Sequence, residues 1–156
     1  MRNYQPHNSI ENLVKHLEHF GGIFQEKQLP SVRILSYPVS FIILVEQHWI
    51  AVFITEKTIE IIDSNGFLGL KSMSKNLRTF LMVHIRGKHF ESTPKLQMDD
   101  SDTCGLFAVS FLYYRSKVNL TICNFCDYFS SDLRKNTSLI SAIFCTIVEN
   151  LTDNQN

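Results

Sequence analysis

Three apolar, β-branched runs follow one another in the middle of the chain: Phe41 to Val45, Trp49 to Ile54 and Thr58 to Asp63. The breaks between them, Glu46-Gln47 and Thr55-Glu56-Lys57, are short and polar, so the runs stand at hairpin spacing. A strand with one wet face would alternate apolar and polar residues, and these runs are apolar nearly throughout. The pattern therefore predicts three central strands of a sheet covered on both faces. A chain of 156 residues is long enough to bury such a core without staples, and no linker, repeat or low-complexity tract divides it. It reads as one domain, 1–156.

The flanking sequence predicts helices. Ile10, Leu13, Val14 and Leu17 form a helical stripe over about 9–20, with Ser9 as N-cap and Gly21-Gly22 as the stop. An irregular stretch follows through Pro30 and Pro38. Ser64-Asn65-Gly66 reads as a turn, and Met73, Leu77, Phe80 and Leu81 give a second helix over about 72–83. A fourth strand, about 89–97, contains Pro94 and belongs at an edge. After the polar loop 98–103 come a helix from Cys104 to Tyr114, apolar nearly all round, and two more at about 121–129 and 130–150, the last starting at Ser130 or Ser131. Helices and strands are segregated along the chain, so the expected class is α+β.

Composition narrows the function. Lys and Arg number 15, Asp and Glu number 15, and the formal net charge is zero. A protein that coats nucleic acid or a membrane surface needs a basic excess, which this chain lacks. Lys71, Lys75, Arg78, Arg86 and Lys88 make the only basic cluster, read as a solvated face, with a weak nucleic-acid contact as the sharper alternative. No segment approaches the ~18 consecutive apolar residues of a membrane span, and the polar start, Met1 to Asn8, has no apolar signal core. These features predict an intracellular protein with reduced thiols, so the sequons at Asn119, Asn136 and Asn150 are taken as chance. Cys123 and Cys126 form a C-x-x-C without the further ligands of a zinc knuckle or the βαβ context of a redox motif; with Cys145 they read as cysteines packed in helices. Asp99, Asp100 and Asp102 read as loop solvation or helix capping, and no metal or other cofactor is required.

Four residues carry chemistry. Cys104 stands where the polar loop meets the apolar helix, and the positive end of a helix dipole lowers a thiol's pKa and favours the nucleophilic thiolate. A buried, inert cysteine is the plain alternative. Gly105 beside it would let a substrate backbone approach closely. His48 opens the second strand, placed to act as base for a thiol, and Asp63 closes the third, where a hairpin would bring it beside His48 to orient the ring. Taken alone, His48 could equally be a turn histidine and Asp63 a turn former. Gln97, seven positions before Cys104, offers an amide donor that would form an oxyanion hole with the Cys104 backbone N–H.

The order His48-Trp49, then Asp63-Ser64-Asn65-Gly66, then Gln97 through Cys104-Gly105-Leu106-Phe107 resembles the cysteine protease superfamily of the adenovirus maturation protease (adenain) and the ubiquitin-like-protein (SUMO) proteases. The seven-position interval from Gln97 to Cys104 and the Cys-Gly-Leu-Phe run look like the adenoviral branch, as do Phe20-Gly21-Gly22 and Leu29-Pro30 near the start. Asp63 departs from that branch, which has glutamate there. The Asp-Ser-x-Gly form looks more like cellular relatives and those of Maverick or Polinton elements and related DNA viruses. The resemblance spans about 9–145. It implies a papain-like core with a central mixed sheet of four to five strands flanked by helices. Cys104 would be the nucleophile, His48 the base and later the acid, Asp63 the orienting group, and Gln97 an oxyanion donor, with Trp49 as a channel wall or a core aromatic. The implied activity is that of a monomeric cysteine endopeptidase that cleaves capsid or core precursors during virion maturation, in the host nucleus or cytoplasm or packaged in virions. Adenoviral relatives also use DNA and an activating peptide. The neutral charge speaks against DNA here, and no cysteine matches the peptide-binding thiol. A deubiquitinase- or deSUMOylase-like isopeptidase is the alternative, followed by an acyltransferase and an inactive interaction module.

Overall fold

The structure is a computed structural model, and it describes residues 7–32, 34, 36–66 and 73–154. Among the described residues, five strands form one mixed sheet in the order β1-β2-β3-β4-β5: Phe20–Gln25, Val39–Val45, His48–Ile54, Thr58–Ile62 and His89–Ser92. The meander β2-β3-β4 is antiparallel and central, while β1 and β5 flank it in parallel pairings with β2 and β4. Among the described residues, five α-helices cover the sheet: α1 His7–Val14, α2 Lys75–Ile85, α3 Cys104–Val118, α4 Ile122–Asp127 and α5 Leu133–Asp153. The class is α+β, as the sequence predicts.

The continuous apolar runs have the expected cause. Alternate residues of each strand enter two separate cores. Ile42, Trp49, Ala51, Phe53 and Ile62 pack with Phe107, Phe111, Leu112 and Phe125 under α1, α3, α4 and α5. Phe41, Ile43, Ile50, Val52, Ile54, Ile59 and Ile61 pack with Leu77, Phe80 and Leu81 of α2 and with Leu29 of a 3-10 helix, Glu26–Ser31. With helices on both faces neither set meets water, so the period-2 signal vanishes from the sequence. One acid lies inside this layer: Glu60 of β4, 4% exposed, accepts from Arg115 Nε of α3 at 3.0 Å, and the guanidinium rests over the Phe53 ring.

Several boundaries depart from the sequence reading. α1 begins at His7 and ends at Val14, so Ser9 lies inside the helix rather than capping it. Gly21-Gly22 does not end the chain's first helix; it lies inside β1, a strand absent from the sequence expectation. A Cβ on Gly21 would stand 2.4 Å from the Phe41 ring, and Gly22 has φ +131° where the register with β2 shifts. Both glycines serve a bulged parallel strand packed hard on its neighbour. β5 is an edge, as Pro94 implies, but it stops at Ser92. The last helix is capped by Asp132, whose side chain accepts from Arg134 N–H, not by Ser130 or Ser131.

The cysteine reading also needs correction. Among the described residues no cysteine is disulfide-bonded; Cys126 is half-buried against the α3 core, whereas Cys123 and Cys145 are exposed instead of packed. On amphipathic helices a small residue falls as readily on the wet face. Lys88 leaves the basic cluster, because its ammonium donates to the carbonyls of Thr55 and Glu56 and sits over the Tyr37 ring. Lys71 and most of the polar N-terminal stretch lie outside the described residues. Among the described residues no helix is long and apolar enough to cross a membrane.

Candidate active site

Three of the four residues singled out by sequence meet where β3 starts, β4 ends and α3 begins. The ladder pairs Ala51 with Ile62, so Asp63, just past β4, falls beside the first residues of β3. Its Oδ1 stands 2.7 Å from His48 Nε2, fifteen positions apart in sequence. Both side chains are about one-fifth exposed, the His at 22% and the Asp at 20%. Cys104 is the first residue of α3 and 7% exposed. Its Sγ accepts the Trp49 backbone N–H at 3.5 Å, and the neighbouring His48 imidazole acts on the thiol's ionisation. Nε2 is committed to Asp63, which leaves Nδ1 as the ring nitrogen available to exchange a proton with the thiol.

The electrostatics follow from this contact. Burial alone would lower His48, but the hydrogen bonds and charges of Asp63 and Cys104 outweigh it and push the imidazole up from 6.5 to about 9. Burial likewise raises Cys104, and it is overcome by the His48 hydrogen bond, the Trp49 backbone N–H, the His48 charge and the Gly105 backbone N–H, which hold the thiol below its usual range. The two shifts are opposite and reciprocal, as expected of a pair that shares one proton as thiolate and imidazolium. The N-terminus of the fifteen-residue α3 adds its dipole in the same direction.

Gln97 is 3% exposed and lies in the loop after β5, not in a strand. Its Oε1 accepts the Ser64 hydroxyl at 2.5 Å, and its Nε2 donates to the Ser101 carbonyl at 3.1 Å. Only the NH2 end of the amide can donate to a carbonyl, so Ser101 fixes which way the amide points. One of the two Nε2 protons stays uncommitted by that bond.

Sequence reasoning missed the residues that hold this frame. Ser64, buried at 1% exposure, accepts the backbone N–H groups of Leu96 and Gln97 on its carbonyl while its hydroxyl binds the Gln97 amide. Thr93 clamps Asp63, accepting its N–H at 2.9 Å and donating to its carbonyl at 2.6 Å. Asn136, wholly buried on α5, donates to the carbonyls of Leu96 and Ser130 and accepts the Ser130 N–H. Its place in a sequon hid that role. One expectation moves, and one pair of alternatives narrows. Gly105 faces the protein, where a Cβ would stand 2.8 Å from Ile10 Cδ1 and 3.6 Å from Trp49, so its small size admits α1 and not a substrate. Trp49 is a core aromatic, 7% exposed, rather than an open channel wall. Among the described residues no group of three or more His, Cys, Asp or Glu side chains could hold a metal ion.

No protein-family model and no curated protein sequence matches this chain. Solved structures do. The central domain of the uncharacterized Lpg1148 protein from Legionella pneumophila is similar over 91% of this chain and 96% of that one, at 12% identity and a TM-score of 0.53. The ASFV pS273R protease is similar over 70% of this chain and 44% of that one, at 14% identity and a TM-score of 0.46. ChlaDub1 from Chlamydia trachomatis is similar over 64% and 46%, at 18% identity and a TM-score of 0.41. The chain thus spans less than half the length of these last two proteins. At such identities the likeness is one of fold, and the Legionella domain shares this α+β arrangement over nearly the whole chain.

Proposed function

We propose that the chain is a cysteine protease that hydrolyses amide bonds through a Cys104 thiolate. The observation that carries the reading is the grouping around His48: a ring nitrogen on a carboxylate at 2.7 Å, beside a thiol at a helix N-terminus, with the imidazole raised and the thiol lowered together. Isolated buried cysteines are raised by desolvation, so a lowered one marks an activated nucleophile.

In the mechanism, the Cys104 Sγ lone pair forms a bond to the substrate carbonyl carbon, and the C=O π pair moves onto oxygen. The Cys104 backbone N–H, which as the first helical residue has no intrahelical acceptor, donates to that oxyanion together with the second Gln97 Nε2 proton. Collapse restores the C=O, breaks the C–N bond and expels the amine, which takes the proton from His48 Nδ1. The thioester is then attacked by water as His48 accepts the water's proton. The acid leaves, and thiolate and imidazolium are restored. Asp63 holds the ring orientation in both halves.

The substrate reading follows the sequence resemblance: an endopeptidase acting on capsid or core precursor proteins of a virus or mobile element. An isopeptide bond is the same amide chemistry, and a ubiquitin-like modifier would be cleaved by the same groups. Incubation with a panel of unfolded polypeptides tests the first, and a ubiquitin-like vinyl-ester probe tests the second. Cys104→Ala should abolish turnover and labelling with the fold intact by circular dichroism. Equal turnover by that variant, or by His48→Ala, would sink the mechanism, and rapid probe labelling of Cys104 would turn the substrate reading to the isopeptidase.

A further inference from the structure

His48 has a third partner, which the mechanism above does not use. Asn65 Nδ2 stands 3.2 Å from His48 Nδ1, the ring nitrogen not committed to Asp63. The same residue's backbone N–H donates to Asp63 Oδ1 at 3.0 Å. Asn65 therefore touches both members of the His48–Asp63 pair, the carboxylate through its backbone and the imidazole through its side chain. Its backbone is fixed independently of that side chain: Gly66 N–H donates to the Asp63 carbonyl at 2.9 Å, and Asn65 bridges to Lys95.

We propose that Asn65 is a positioning residue for the base: its amide N–H donates to Nδ1 of His48 and holds the ring ready while that nitrogen carries a lone pair. The proposal rests on the thiolate–imidazolium reading and deepens it. In the resting pair, the proton on Nδ1 is directed to Cys104. Once the leaving amine has taken that proton, Nδ1 carries a free lone pair until water arrives, and the ring could turn about its Cβ–Cγ bond. A donor on Nδ1 and a carboxylate on Nε2–H pin both edges of the neutral ring through that interval. The exposed setting of Asn65 suits the role, since arriving water can take over Nδ1 by displacing it.

The sign of its effect is defined. A donor to the unprotonated nitrogen stabilises neutral imidazole and opposes the imidazolium. The titratable groups that act on the ring are Asp63, from the end of β4, and Cys104, from α3, and both pull the other way. Asn65 thus limits how far His48 is raised. It acts on the step from thiolate–imidazolium to thiolate–imidazole, so the alkaline limb of a pH profile belongs to it, and the acid limb, where the thiol loses its proton beside imidazolium, does not.

The test is a titration of the His48 C2 proton by NMR in the intact chain, the signal identified among six histidines by its absence in His48→Ala. Asn65→Ala should raise the His48 midpoint by about half a unit to one unit, the size of one neutral hydrogen bond. The alkaline limb of turnover should move with it and the acid limb should stay. Asn65→Asp should raise it further, because a carboxylate accepts from the protonated nitrogen. A midpoint unchanged in Asn65→Ala overturns the proposal, and so does one that falls, which would mean that the amide faces the ring with its oxygen. Cys104→Ala separates this from the underlying reading. If removing the thiol leaves the parent His48 midpoint in place, the ion pair itself is refuted; a failure confined to the Asn65 variants removes only the role of Asn65.

Discussion

Replacing Asp63 by Asn removes a charge from the site and little else. An Asn side chain has the same shape, and its Oδ1 can still accept from His48 Nε2–H and from the Asn65 backbone N–H. What disappears is the charge that helps lift His48 from 6.5 to about 9. That lift corresponds to about 3.5 kcal/mol at ~1.4 kcal/mol per pH unit. Burial pulls His48 the other way, and Asp63 and Cys104 share the work of opposing it. Losing the Asp63 charge should therefore lower the His48 midpoint by about one unit and reduce the ratio of ion pair to neutral pair about tenfold. The assay is the rate of Cys104 alkylation by iodoacetamide from pH 5 to 10, run beside turnover. In the parent the ion pair persists up to about pH 9; in Asp63→Asn its alkaline limit should move to lower pH, with a partial and not a total loss of turnover. Stability follows the same sign. A raised histidine contributes fully below its unfolded value near 6.5 and loses that contribution as pH rises through about 9, so parent and variant melting temperatures should converge above that point. Superimposable pH profiles of parent and variant would refute the reasoning.

Other residues give independent outcomes. Gln97→Ala should cost about 10²–10³-fold in kcat, the usual size for one oxyanion donor, while leaving the Cys104 alkylation profile in place; a matched loss of alkylation would show that Gln97 supports the thiol instead. Asn136→Ala leaves the buried Leu96 and Ser130 groups without its amide and should lower stability by about 2–4 kcal/mol in chemical denaturation. Gly21→Ala should destabilise the β1–β2 pair by forcing Phe41 aside, and a melting temperature equal to the parent's would contradict the close packing seen there.

Much of the layered fold was legible because both faces of β2, β3 and β4 are covered, which leaves runs too apolar and too short for anything but buried strands. β1 was not legible. Phe20-Gly21-Gly22-Ile23 carries the residues that usually end a helix, and only the approach of Phe41 from the next strand makes glycine a strand residue there. Cys104, His48 and Asp63 could be singled out because each stands at an element boundary, where a loop meets a helix or a strand meets a turn. Their support was hidden for the opposite reason. Ser64, Thr93 and Asn136 act on backbone groups of residues 30 to 40 positions away or on the Gln97 amide, and nothing in their local sequence announces a distant partner. Gly105 was read by its chemistry beside a nucleophile, whereas its environment is Ile10 of α1, nearly a hundred residues earlier.

The central claim is that a buried thiol at the start of α3 is the reactive one. The chain supplies its own controls, because Cys123 and Cys145 are exposed while Cys104 is 7% exposed. At pH 6 an ordinary thiol is well under 1% thiolate. Brief treatment with substoichiometric iodoacetamide at that pH, followed by peptide mass spectrometry, should find Cys104 modified at least about tenfold faster than Cys123 or Cys145, and His48→Ala should abolish the advantage. Faster labelling of Cys123 and Cys145 in the folded parent would show that Cys104 is an inert core cysteine, and would contradict the account.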